Sequence, residues 1–172
     1  MLQIIHARHQ LDFGKLMRVY AESNATIGAM RYPHLDAAEQ LLEVEQDQHA
    51  FLREFFKIPG AFIAVWSENG CYQAALRVEP YSDGVLLEGI ETAPENRRRG
   101  YAKRLMQNTL IYLCAQACEK IYSHVDKKNF ASLSLHESCG FRMLYDHAAF
   151  VDGSVDHRTF TYFMEIKKQG AV

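Results

Sequence analysis

This 172-residue sequence has no apolar run long enough to cross a bilayer: its longest strongly apolar segment, AFIAVW at 61–66, stops after six residues. The opening MLQIIHARHQLDFG carries no apolar signal-peptide core, so a cytoplasmic protein with no membrane partner is expected. Cysteine is scarce. Cys71, Cys114, Cys118 and Cys139 form no CxxC pair and accompany no HxxxH spacing, which argues against zinc and disulfide frameworks, and no metal is expected. Cys114 and Cys118 lie one helical turn apart beside Leu110, Leu113 and Ala117 and read as packing residues on a buried helix face. Excess charge of either sign is missing too, since 19 Lys and Arg meet 21 Asp and Glu. With one basic cluster and a pI near 6.4, no nucleic-acid partner is expected. The phosphate-loop patterns GxxxxGKS/T and GxGxxG do not occur, which removes the P-loop and dinucleotide readings.

What is present is the composition of an ordinary folded chain, 48% hydrophobic and 23% charged, long enough for one domain over 1–172. LQIIHA (2–7) reads as a strand and LDFGKLMRVYAESN (11–24) as one helix with Phe13, Leu16, Met17 and Tyr20 on a stripe. After Pro33, Asp36 with Glu39 three residues on forms a capping box for a longer helix that IPG stops. From residue 61 the period becomes strand-like. AFIAVWS, CYQAALRVEPY and VLLEGIETA are separated by Asn69-Gly70 and Asp83-Gly84, the signals of an antiparallel meander. A helical face over 101–119 (Leu105, Met106, Thr109, Leu110, Leu113, Ala117) precedes the strand KIYSHV, which implies a parallel crossover. A short helix then runs from Asn129 to Gly140, and FRMLYDHAAFV and RTFTYFMEI flank Asp152-Gly153 as a last hairpin. The sum is α/β: a mixed sheet with helices on its faces.

The unusual segment is NRRRGYAKRL at 96–105, five cations in ten positions around one glycine. A helix beginning at Gly100 or Tyr101 gathers Arg97, Arg98, Arg99, Lys103 and Arg104 at its positive end, where each cation costs about 0.3–1 kcal/mol against the macrodipole. A bound anion removes the conflict, because the first-turn N–H groups have no intrahelical partner and favour phosphate.

The pattern Arg97-x-x-Gly100-x-Ala102, directly after LLEGIETAP, resembles the R/Q-x-x-G-x-G/A hallmark of the GNAT superfamily of N-acetyltransferases. Three further pieces match in order: LEGIETAP resembles the family's fourth strand, SHVDKKN its fifth strand ending in Asn, and NFASLSLHESCGF its last helix closing on Gly-Phe. The resemblance covers most of the chain by element order and is tightest from Val85 to Phe141. It implies a mostly antiparallel twisted sheet of about six to seven strands whose fourth and fifth strands splay. It also implies direct acetyl transfer from acetyl-CoA to a primary amine in a ternary complex. By the same resemblance the amides from Arg98 through Lys103, including Gly100, Tyr101 and Ala102, wrap the pyrophosphate, with Arg97, Arg98 and Arg99 as counter-charge. Backbone N–H groups of Ile90 and Thr92 would hold the thioester carbonyl and the pantetheine arm, and Asn129 would meet a pantetheine amide.

An alkylamine near pKa 10 is protonated at neutral pH and must lose a proton before it attacks. Glu88, where many family members carry a fourth-strand Glu, is the expected base. Strand alternation sets it on the side of Ile90 and Thr92, with Glu91 on the other face as the reserve. The alternative for Glu88 is an exposed strand carboxylate or an ion pair with an arginine. The family's Tyr, which serves the departing thiolate, is replaced by His136 in LHESCGF; its roles are proton donor or structural residue, and Asn129, Ser132 and His136 form one polar helix stripe. The acceptor wall falls in the least family-like segments, where Tyr20, Tyr32, His34 and HAAFVDGSVDHR (147–158) are candidates or core. A small-molecule amine is preferred to a protein amine as acceptor, and a homodimer is compatible. An acyl-CoA-binding sensor that has lost its chemistry is the alternative function.

Overall fold

The computed structural model describes residues 1–150 and 153–166. Strand β1 (Leu2–Ile5) leads through a 3-10 turn into α1 (Phe13–Val19), α2 (Ala21–Arg31) and α3 (Ala37–Phe55). The meander follows as β2 (Phe62–Glu68), β3 (Cys71–Tyr81) and β4 (Gly84–Thr92). Then come α4 (Tyr101–Ala115), β5 (Lys120–Asp126), α5 (Phe130–Ser138), β6 (Arg142–Tyr145), the short β7 (Ala148–Ala149) and β8 (Val155–Asp156), and β9 (Thr159–Glu165). Seven strands form one sheet in the order β1-β2-β3-β4-β5-β9-β6, with β7 and β8 paired separately. Every pairing is antiparallel except β4 with β5. The mixed, mostly antiparallel sheet expected from the sequence is present.

The central strands are apolar on both faces because helices cover both. Along β2, Phe62 and Ala64 point to a core made with Leu105, Met106, Leu110 and Leu113 of α4. The alternate residues Ile63 and Val65 meet Leu16 and Val19 of α1 and Leu52 and Phe55 of α3. Leu105 is fully buried, so truncating it to alanine costs about 2–5 kcal/mol. The capping box of α3 is intact: Asp36 accepts from the Ala38 and Glu39 amides while Glu39 reaches back to the Asp36 amide.

Four local expectations need correction. The helix over 11–24 is two helices, broken at Tyr20, and the second extends to Arg31. Tyr20 is an anchor as well as a stripe residue, since its hydroxyl donates to the Gly89 carbonyl at 2.7 Å. The turn after β3 is Ser82-Asp83, with Gly84 already paired to Tyr81 in the strand. Gly84 is required there by close approach, because a Cβ would sit 2.1 Å from the Lys120 carbonyl oxygen. Helix α4 stops at Ala115, and Ala117 takes φ 58, so Cys118 lies in the exit turn and Cys114 is exposed, not buried. Helical spacing alone did not reveal that Cys114, next to the buried Leu113, stands on the solvent side of α4. In the last hairpin, β6 does pair antiparallel with β9, while Asp152 lies outside the described residues. Among the described residues no helix is long and apolar enough to cross a membrane.

Candidate active site

The parallel pairing of β4 with β5 ends at Leu87 and Ser123, and beyond that point the two strands part. A cleft of about 930 Å³ opens in the gap. It is lined by the ends of β4 and β5, the start of α4, one face of α2 and one face of α5. All the splayed edge of β4 past Leu87 faces this opening without a β5 partner, so its peptide groups there are available to a ligand. Ile90 and Thr92 line it, as the sequence suggested.

The start of α4 forms the second wall. Gly100 is its N-cap at φ 78, no side chain caps the helix, and its first turn holds no acid. Arg98 also takes the left-handed region, φ 63, so the chain turns tightly into the helix and its first amides are left to solvent. Nothing lies within 4 Å of where a Gly100 Cβ would stand. That open space beside unsatisfied amides and the positive end of a 15-residue helix fits a pyrophosphate. The five cations divide among different tasks. Arg98 and Lys103 line the cleft with Arg97, Gly100, Tyr101 and Ala102. Arg97 pairs with Glu22 of α2, and Arg104 stacks over the Tyr101 ring at 5.5 Å. Arg99 does not line the cleft. Tyr101 is buried and its hydroxyl donates to Glu68.

On the third wall, Asn129 caps α5, its side-chain oxygen accepting from the Ser132 amide at 3.0 Å. Its amide group remains to meet a ligand. Asn129, Ser132 and His136 all line the cleft, which is the polar stripe the spacing implied. His136 is nevertheless only 1% exposed. Its Nδ1 lies 2.7 Å from the Ser132 carbonyl and its Nε2 2.8 Å from the Ser123 hydroxyl, which in turn lies 2.9 Å from the Leu87 carbonyl. Three short contacts need three protons, and the neutral ring with one hydroxyl supplies two. Only the imidazolium completes all of them, while burial pushes the ring's pKa down against the smaller upward pull of the Ser132 carbonyl. The result is a buried hydrogen-bonded pair, His136 with Ser123, at the point where the strands part.

The carboxylates are arranged differently from strand alternation. A bulge in β4, with Gly89 at φ 60, shifts the register so that Glu88 opposes Arg77 and Glu91 opposes Ala75. Arg77 and Ala75 share a face of β3, so Glu88 and Glu91 share one face of β4, opposite Ile90 and Thr92. The expected split between Glu88 and Glu91 is therefore removed by one extra residue: Glu91 lies opposite Ile90 and Thr92 as expected, and Glu88 joins it. Glu88 Oε2 is 3.6 Å from the Arg77 guanidinium, the ion pair weighed as its alternative, and Oε1 is 3.7 Å from His124 Nδ1. His124, then Arg77, hold the Glu88 carboxyl below the ordinary range against the opposing effect of burial. Burial pushes Glu91 the other way, upward, with Ser23 and Arg97 opposing.

Among the other acceptor-wall candidates, Tyr32 donates to Asp47 at 2.8 Å and so ties α2 to α3, and His34 does not line the cleft. Sequence reasoning passed over Ser123, His124 and Arg77. The alternation in SHVD was the available signal for the first two, since it sends Ser123 and His124 to opposite faces at the parting of the strands.

The family model described as Acetyltransferase (GNAT) family matches residues 30–141. Aminoglycoside N(6')-acetyltransferase type 1 of Serratia marcescens is 32% identical over 113 residues, covering 56% of this chain and 73% of that protein. Among solved structures, the PaiA N-acetyltransferase of Thermoplasma acidophilum in complex with coenzyme A superposes with a TM-score of 0.66 at 12% identity, covering 96% of this chain and 99% of that one. The ribosomal-protein-S18-alanine N-acetyltransferase of Escherichia coli gives 0.62 at 19% identity, covering 99% and 97%. These two likenesses establish the fold.

Proposed function

The chain belongs to the GNAT acetyltransferase family and transfers an acetyl group from acetyl-CoA to an amine; from that premise we propose that its acceptor is a small cationic amine of the aminoglycoside or polyamine kind. The observation that carries this reading is the bulge at Gly89, which turns Glu88 and Glu91 to one side of the cleft, where Glu22 of α2 also lines the wall. A grouping of carboxylates suits an ammonium-bearing substrate. The named activity of the Serratia relative supports the same class.

In this proposal the amides from Arg98 through Lys103 take the pyrophosphate, with Arg98 and Lys103 as the nearest counter-charge and Arg97 shared with Glu22. Ile90 and Thr92 take the acyl and pantetheine end on the face away from the carboxylates, and Asn129 takes a pantetheine amide. Acetyl-CoA supplies an activated acetyl group and a thiolate leaving group. The Glu88 and Glu91 face receives the ammonium and its proton. His136 with Ser123 supplies the proton for the departing thiolate, and a structural His136 would make that step independent of the pair. One domain over 1–172 in a cytoplasmic setting, able to form a homodimer, belongs to the same proposal.

The test is thermal stabilisation by acetyl-CoA and CoA with ATP as the control, followed by thiol release against aminoglycosides, polyamines, amino acids and peptide N-termini. Stabilisation by both CoA forms and turnover on the polycations are expected. Turnover confined to peptide N-termini would reject the small cationic acceptor.

A further inference from the structure

The cleft holds one buried titratable group that the proposed chemistry leaves unused. The His124 side chain is 5% exposed, and neither ring nitrogen has a hydrogen-bond partner among the described residues. A buried imidazole with two unpaired nitrogens forfeits the water it could have bonded, so the arrangement calls for a ligand or a role. Its position limits what that role is. His124 lies on β5 one residue past the last β4 pairing, so it stands at the mouth of the splay. Its neighbours Ser123 and Val125 turn to the α4 side, which puts His124 on the opposite face with Glu88.

Around the ring, Tyr81 of β3 packs edge-on at 5.4 Å and Phe150 edge-on at 5.1 Å, and these fix its plane. The charged and titratable groups that face it are Glu88 of β4, with Arg77 and Glu79 of β3 behind that carboxylate, and the hydroxyl-bearing Tyr81. The 3.7 Å from Nδ1 to Glu88 Oε1 is too long for a hydrogen bond and right for an ion pair once the ring gains a proton. Glu88 is thus placed to orient and stabilise a cation on His124, while its own charge is already engaged by Arg77.

We infer that His124 is the base that takes the proton from the acceptor ammonium, and that Glu88 is the positioning residue behind it. This deepens the cleft reading above and rests on it. The ammonium nitrogen gives one proton to the free Nε2 and keeps its electron pair. That pair forms the C–N bond to the acetyl carbon while the C–S bond breaks and its electrons leave on the thiolate. The nitrogen then releases its second proton, so an ammonium and a thioester become an amide, a thiol and one proton.

The experiment uses the full chain with acetyl-CoA and kanamycin or spermidine, following kcat/KM against pH. The His124→Gln variant is expected to lose about 100-fold in kcat/KM. It should also lose the acidic limb that a protonatable base gives the profile, with CoA affinity within about twofold of the unmodified chain. Glu88→Gln should lose about tenfold in kcat with little change in KM, because the ring cation has lost its anionic partner. A readout without substrate is the ring-proton NMR signal that His124→Gln removes, which should shift in Glu88→Gln. If the unmodified chain acetylates neither these nor any other amine, the cleft reading fails and the inference with it. If it turns over, and folded His124→Gln and His124→Asn keep both rate and limb, the inference alone fails. An unmoved NMR signal and an unchanged kcat in Glu88→Gln overturn the positioning role.

Discussion

The two halves of the cleft were built by different routes. The cofactor half runs from β4 through α4 and β5 to α5 as one continuous stretch, and each wall is a local consequence of nearby residues: Gly100 opens the helix, Asn129 caps the next, and Gly140 ends it. The acceptor half is assembled from α2, the bulged face of β4, the far face of β5 and the segment around Phe150, which lie far apart in the sequence. The family match ends at 141 and starts at 30, so most of α1 and α2 and all of β6 to β9 fall outside it. A wall set by backbone geometry tolerates little variation, whereas a wall of side chains from scattered elements can be rebuilt for another amine.

The comparison breaks most cleanly at Gly100. Gly100→Leu should weaken CoA binding by about 100-fold or more, read by calorimetry, because the new side chain enters the open space beside the helix amides. Gly70→Leu is the control: it suffers the same positive φ, 74, in a hairpin away from the cleft. It should lose stability by about 1 kcal/mol and keep CoA affinity. Equal CoA losses in the two would mean that strain, not ligand space, governs Gly100.

Next in size is the His136 and Ser123 pair. His136→Phe and Ser123→Ala should each lower kcat by about 10- to 100-fold with less than a threefold change in CoA affinity. Unchanged kcat in the folded Ser123→Ala variant would make the pair structural. A smaller effect sharpens the division among the cations. Arg98→Ala and Lys103→Ala should each weaken CoA by about tenfold at low salt and flatten its salt dependence. Arg99→Ala, away from the cleft, should do neither.

The smallest effect is on stability. His136 has a folded pKa below its unfolded value, so the unfolded chain binds the extra proton first. Stability is then intact above the unfolded pKa, near 6.5, and declines as pH falls from there toward the lowered folded value. The melting temperature of His136→Gln should fall less between pH 7 and 5 than that of the unmodified chain. An identical decline in both would show that other groups carry the acid sensitivity.

Much of the cofactor half was legible because its signals are local. The Arg97 to Ala102 motif and the Asn129 cap depend on residues within a turn or two of one another, as do the capping box at Asp36 and Glu39 and the Asn69-Gly70 turn elsewhere in the fold. Tyr20 was not legible as a helix break, since its bond partner Gly89 lies 69 positions away. Cys114 was misread because it borders the stripe of Leu110 and Leu113, and which edge of that stripe meets solvent is set by how α4 packs on the sheet. The face of Glu88 was misread because alternation holds only for an unbroken ladder, and Gly89 in the sequence is equally a plain strand glycine.

By itself, then, the sequence determined the order of elements, the anion-binding helix start and the family's chemistry, because backbone propensity, capping and helix dipoles act over a few residues. Only the tertiary structure decided that Glu88 and Glu91 share one face of the cleft, that His136 lies between the Ser132 carbonyl and the Ser123 hydroxyl, and that the His124 ring has no hydrogen-bond partner beside Glu88. Those relations cross from β4 to β3, β5 and α5, and each is fixed by strand register and by where two strands part.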